Sequence, residues 1–81
     1  MNQRTNIGYK IIDSVHIGNT EFVIGYNQKA SMPYVVWECQ NSDNFCFGSF
    51  VSNRVAAEQI FLKRASNACS RQAHSISMKG V

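Results

Sequence analysis

Nowhere does this chain hold an apolar run near the ~20 residues that cross a bilayer, which excludes a spanning helix. Residues 1–6 are polar and contain no signal-peptide core, so a soluble, cytoplasmic protein is expected. Cysteine is scarce and odd in number. Cys39, Cys46 and Cys69, with no secretion signal, argue against a disulfide framework. They form no Cys-x-x-Cys pair and no Cys/His grouping with zinc spacing, so no metal is expected. A glycine-rich phosphate loop is missing too, and no nucleophile stands near a base and an orienting group. No cofactor and no enzymatic activity are expected.

What is present suffices for one small domain. At 81 residues the chain buries only roughly 60% of its unfolded surface, which leaves a thin stability margin. Hydrophobic residues at 44% are ordinary for a globular chain and argue against disorder through the middle. The net charge of +3 is unevenly placed. Residues 52–81 hold Arg54, Lys63, Arg64, Arg71 and Lys79 against Glu58, a balance of +4, whereas residues 1–51 balance at −1. A basic C-terminal third suits nucleic acid or an acidic protein surface, and it equally suits a plain solvated helix face.

Two segments rich in β-branched and aromatic residues, Tyr9–Ile17 and Thr20–Tyr26, flank Gly18-Asn19, a two-residue hairpin signal. This turn puts Ile17 opposite Thr20, Val15 opposite Phe22, Asp13 opposite Ile24 and Ile11 opposite Tyr26. That face is the apolar one and is assigned to the core, with Asp13 at its rim or hydrogen-bonded. His16 falls opposite Glu21 on the other face. After a polar connection ending at Pro33, Tyr34–Gln40 and Asn44–Val51 form a second hairpin around Asn41-Ser42-Asp43-Asn44. A two- or four-residue loop there sets Trp37 opposite Gly48, Val35 opposite Phe50 and Cys39 opposite Cys46, a second core face. If oxidised, Cys39 and Cys46 could bridge; in a reducing cytoplasm they are small core fillers.

From Arg54 onward the period becomes helical, with Ser52 or Asn53 as N-cap. Val55, Ala57, Phe61, Leu62, Ala65, Ala68 and Cys69 gather on one broad stripe, and Ile60 and Ala56 fall off it. Fraying is expected between Ser70 and His74. The predicted fold is α+β: a four-stranded antiparallel meander with one C-terminal helix packed on one face, ββββα. Residues 1–7 form a flexible arm, 8–74 the domain and 75–81 a loose tail. Trp37 and Phe50 are expected under Phe61, and Phe22 near Leu62.

One helix covers one face of such a sheet, which leaves Tyr34, Val36, Glu38, Phe45 and Phe47 as a candidate partner-binding face. The bland alternative is that hard twist or the tail makes these rings ordinary secondary core. Single-stranded nucleic acid stacks on sheet aromatics, but Glu38 lies among these rings and no lysine or arginine does. On the helix, Arg54, Ile60, Lys63, Arg64 and Arg71 are the candidates for contact with a partner or with nucleic acid. Ile60 ringed by charge resembles an interface anchor, although a lone exposed isoleucine is common. The His16–Glu21 pair lies at a hairpin tip with no pocket and no third group, and reads as a surface pair worth under ~1 kcal/mol.

Residues 8–18 (Gly8-Tyr9-Lys10-Ile11-Ile12-Asp13-Ser14-Val15-His16-Ile17-Gly18), then Glu21-Phe22-Val23-Ile24-Gly25 and Pro33-Tyr34-Val35-Val36-Trp37-Glu38-Cys39, carry a resemblance. They resemble a set of short uncharacterised proteins of phages and conjugative elements of gut Firmicutes. The likeness spans half the chain and brings no catalytic motif. Where that pattern has an aromatic-Gly-His-aromatic run, this chain reads Phe47-Gly48-Ser49-Phe50, so any role of the histidine is absent here. Small proteins of such elements are often antagonists of host defence, anti-CRISPR proteins among them. The expectation is therefore a non-enzymatic protein-binding module, an inhibitor from a mobile element that occupies a larger host protein such as a nucleoprotein enzyme. The alternative is a nucleic-acid-binding accessory or regulatory protein using the basic helix. A homodimer is the simplest form of the contact surface.

Overall fold

The computed structural model describes residues 4–80, with side chains described for residues 4–71. Five strands precede one helix: β1 (Thr5–Asn6), β2 (Tyr9–Ile17), β3 (Thr20–Tyr26), β4 (Tyr34–Gln40), β5 (Asn44–Val51) and α1 (Arg54–Gly80). The strands lie side by side in chain order, each antiparallel to the next. The α+β class agrees with the sequence expectation, and the strand count is five rather than four. The added strand comes from the arm. Ile7 and Gly8 take positive φ (43° and 88°) and turn the chain back, which sets Thr5 opposite Lys10 and Asn6 opposite Tyr9. The Ile11 amide donates to the Arg4 carbonyl at 2.9 Å and extends the pairing by one bond.

The first hairpin keeps its expected register from Ile17–Thr20 to Asp13–Ile24. A bulge at Ile12 then shifts it, so Ile11 faces Gly25 and Lys10 faces Tyr26. Asp13 is exposed, and its Oδ1 accepts from the Ser14 amide at 3.0 Å, which meets the rim expectation. In the second hairpin Gln40 faces Asn44, leaving the three-residue loop 41–43, with Asn41 and Ser42 in the left-handed region (φ 55° and 71°). That odd loop sets Cys39 opposite Phe45 and Cys46 opposite Glu38. Neighbouring positions on a strand point to opposite faces, so Cys39 and Cys46 lie on different sides of the sheet, and all three cysteines are free. A second bulge, at Phe47 (φ 56°), restores the expected Val35–Phe50 pair.

Register between β3 and β4 decides which face the helix covers. Phe22 faces Glu38, Ile24 faces Val36 and Tyr26 faces Tyr34. The helix packs on this side, over a core of Phe22, Ile24, Val36, Ala57, Phe61 and Ala68 flanked by Val15, Ile17, Tyr34, Val51, Ile60 and Ala65. Trp37 therefore does not lie under Phe61. It belongs to a second core on the helix-free side, with Tyr9, Val23 and Val35 and with Ile11, Ala30 and Phe45 at its margin.

The helix begins where its cap predicts. Asn53 Oδ1 accepts from the Ala56 amide at 2.9 Å. Its sheet-facing stripe is rotated from the expected one. Ala57, Phe61 and Ala68 are buried and Ile60 and Arg64 are half-buried, whereas Val55 and Leu62 are both 63% exposed and Cys69 is exposed. Leu62 thus cannot pack on Phe22. Past Ser70 the helix continues to Gly80 instead of fraying, since no proline or glycine interrupts residues 71–79. The side chains of the expected tail, and Val81, lie outside the described residues.

Candidate binding surface

The five sheet residues singled out from sequence do not share one open face. Val36 is fully buried beneath the helix, and Tyr34 and Glu38 are half-buried on that same side. Tyr34 packs against Tyr26, ring centroids 4.9 Å apart. Phe45 lies on the other side, 5.4 Å from the Trp37 ring. Phe47 alone of the five stands out in solvent, at 70% exposure. The β3–β4 register, which a seven-residue loop (27–33) leaves open, puts Tyr34, Val36 and Glu38 under the helix, and the three-residue β4–β5 loop moves Phe45 to the opposite side from them.

Phe47 is held in an uncommon way. A non-glycine residue at φ 56° is disfavoured, and more so with an aromatic side chain. The neighbouring helix supports this bulge. Arg64 Nη1 donates to the Phe47 carbonyl at 2.7 Å and, at 3.4 Å, to the Val36 carbonyl, while Nη2 donates to Ser49 Oγ at 2.7 Å. One guanidinium fork so clamps the irregular point of the β4–β5 ladder, a geometry that arginine's planar donors suit. Arg64 is therefore directed at the sheet and not at solvent, and Ile60, one turn earlier, packs against the core instead of standing as an exposed anchor. Bulges re-aim side chains, and this one displays a phenylalanine.

The helix-free face is roofed by rings. Trp37 meets Tyr9 at 5.8 Å and 85°, and Phe50 at 6.1 Å and 87°. Tyr9 and Phe50 meet at 5.7 Å, and the Tyr9 hydroxyl donates to the Met32 carbonyl at 2.8 Å. Gly48 provides the room. A Cβ there would sit 2.8 Å from Trp37 Nε1, so the expected pairing of the indole with Gly48 survives as a contact across the bulge. Val23 and Val35 are fully buried beneath this layer, while Phe50 (44% exposed) and Met32 (47%) form its wet margin.

Toward the β2–β3 turn the same face ends in charge. Glu21 is buried at 5% exposure, and Arg4 from the arm grips it with two bonds, Nη1 to Oε1 at 3.0 Å and Nη2 to Oε2 at 2.7 Å. The hydrogen bonds from Arg4 hold the Glu21 carboxyl below its ordinary pKa, against the opposing effect of burial. Burial, and next the Glu21 charge, push the Cys39 thiol up. His16 is opposite Glu21 as expected, with Nε2 3.9 Å from Oε1. Arg4 is the residue that sequence reasoning missed, because a polar six-residue start carries no periodicity.

On the outer side of the helix, Lys63 and Arg71 are exposed, and Arg54 pairs with Glu58 at 2.9 Å. That hydrogen bond holds the Arg54 pKa above its ordinary value. Among the described residues no helix is long and apolar enough to cross a membrane, and no group of three or more His, Cys, Asp or Glu side chains converges on one point. The chain matches no family model, no curated protein and no solved structure.

Proposed function

We propose that this protein is a small non-enzymatic binding module that docks a larger protein through the exposed ring of Phe47. The observation that carries this is the bulge itself. The fold commits a half-buried arginine to three acceptors around a left-handed phenylalanine whose ring lies in water. Backbone strain that neighbouring groups hold in place is frequent at ligand clamps and contact sites. A single large exposed ring on a backbone held in place by its neighbours has the make-up of an interface anchor. The finer identity, a mobile-element inhibitor of a nucleic-acid-handling defence enzyme, draws its support from the sequence resemblance.

Nucleic-acid binding through the helix has narrower support. Of its four candidate cations, Arg64 serves the bulge and Arg54 is paired with Glu58, leaving Lys63 and Arg71. Phe47→Asn is the decisive variant. Asparagine accepts positive φ, and Arg64 holds the backbone carbonyl, which the change preserves. Tagged wild type should capture a host protein in nuclease-treated lysate; Phe47→Asn should lose it, with its melting temperature no lower. Capture that persists in Phe47→Asn but fails in Lys63→Gln/Arg71→Gln, or that nuclease abolishes, would overturn the docking role of Phe47 in favour of the helix. Sedimentation at several concentrations tests whether the partner is a second copy of the chain.

A further inference from the structure

The β1–β2 turn and the start of the β3–β4 loop enclose a cleft of about 330 Å³ lined by Gly8, Lys10, Tyr26, Asn27, Gln28 and Lys29. It is separate from the Phe47 bulge, being built on other elements. Two of its six lining residues are lysines, two are carboxamides and none is acidic. Pairing in β2 and β3 sets Lys10 directly opposite Tyr26, and Lys29 belongs to the loop that follows β3. Asn27 is oriented by the loop. Its Oδ1 accepts from the Lys29 amide at 3.0 Å, its own amide donates to the Pro33 carbonyl at 2.8 Å, and its carbonyl accepts from the Ala30 amide at 3.1 Å. With Oδ1 engaged, the Nδ2 end is turned to the Gly8 wall, 3.2 Å from where a Cβ on Gly8 would sit. Gly8, at φ 88°, keeps that wall low. The cleft thus offers two full positive charges and an oriented N–H donor, with no carboxylate to compete.

We propose that this cleft binds a phosphate group, as the free ion or on a small organic phosphomonoester, with Lys10 and Lys29 flanking it and Asn27 Nδ2 as the third donor. Lysine ammonium groups are point-charge partners of phosphate, and a fixed neutral donor between them adds direction.

The test is amide NMR on the full chain at constant ionic strength, titrating inorganic phosphate, adenosine monophosphate and adenosine in turn. Saturable shifts at Gly8, Asn27, Gln28 and Lys29 are expected with the first two probes and not with adenosine. Tighter binding of the nucleotide than of inorganic phosphate assigns an organic phosphomonoester, and equal binding assigns free phosphate; both support the site. Lys10→Gln/Lys29→Gln should weaken binding at least tenfold, and Lys63→Gln, on the helix, should leave it unchanged. Asn27→Asp keeps the acceptor that the Lys29 amide needs and replaces the donor with a negative charge. It should abolish saturable binding while the melting temperature is retained. Linear, non-saturating shifts, equal response to sodium chloride, or undiminished binding in Asn27→Asp would overturn the proposal.

Discussion

The two faces of this sheet are sealed by different means. On one side a helix lays backbone over the strands, and small residues at the contact, Ala57, Ala65 and Ala68, bring it close around Phe61. On the other side no helix lies among the described residues, and yet Val23 and Val35 are as inaccessible as Val36. There the cover is made of Tyr9, Trp37, Phe45 and Phe50, meeting mostly edge to face, and of the Arg4–Glu21 pair. A small sheet can therefore dispense with a second layer if its own rings interlock edge to face across it. The consequence is that helix-side burial is shared among many modest contacts, whereas ring-side burial converges on Trp37, which touches each of the other three rings.

Removing that ring should have the largest effect. Trp37→Ala is expected to cost about 3–5 kcal/mol in urea denaturation. Phe61→Ala should fall at the lower end of the same range, because the helix can settle toward the strands where a ring roof cannot. A Phe61→Ala loss equal to or larger than that of Trp37→Ala would break the contrast between the faces.

The charged end of the ring face comes next. Glu21 has its folded pKa lowered, chiefly by hydrogen bonds from Arg4, so the pair stabilises the fold above the unfolded carboxyl value of about 4.3. That contribution is lost as pH falls through the lowered folded value. Arg4→Ala leaves a buried carboxylate without its main donor and should cost about 1–3 kcal/mol near neutral pH. The gap between wild type and variant, measured at neutral pH and again in acid, should narrow as the pH falls below about 4.3 and through the lowered folded value of wild-type Glu21. A gap of constant size across melts at the two pH values would remove Arg4 as the cause of the shift.

How far this was legible in the sequence follows from the same contrast. The β2–β3 hairpin announces itself, since Gly18-Asn19 and polar positions at Ser14 and His16 give the alternation a phase. In β4 the run Tyr34-Val35-Val36-Trp37 is apolar at every position, so period-two reasoning has nothing to separate one face from the other. The sequence pattern alone assigns the helix to the Trp37 side, whereas the register with β3 makes it the Val36 side. Both bulges escape the pattern for a related reason: Ile12 repeats the apolar Ile11 before it and Phe47 lies between Cys46 and Gly48, so neither extra residue marks itself by a change of polarity. Alanines blurred the helix as well. With Ala56, Ala57, Ala65 and Ala68 spread around the axis, Val55 and Leu62 outweighed Ile60, although the sheet selects Ile60 and Arg64.

Arg64 tests whether the bulge needs its fork. Arg64→Lys retains the charge and one bond but cannot serve the Phe47 carbonyl and the Ser49 hydroxyl together. It should cost about 1–2 kcal/mol. A neutral result in denaturation would mean that the bulge stands unaided and that Phe47 is not clamped.

The smallest expected effect sharpens the helix side. Leu62 is mostly exposed and touches neither core, so Leu62→Ser should stay within about 0.5 kcal/mol of wild type. Two positions earlier, Ile60 is half-buried against the helix-side core, and Ile60→Ser should cost about 1–2 kcal/mol from lost apolar burial. The two substitutions remove side chains of equal carbon count from one helix; leucine is the better helix former by only a few tenths of a kcal/mol, so their difference reads mainly direction. A larger loss from Leu62→Ser than from Ile60→Ser would mean that the helix presents its other stripe to the sheet. Arg64 would then be swung away from the Phe47 carbonyl, and the clamp on which the docking surface depends would come undone with it.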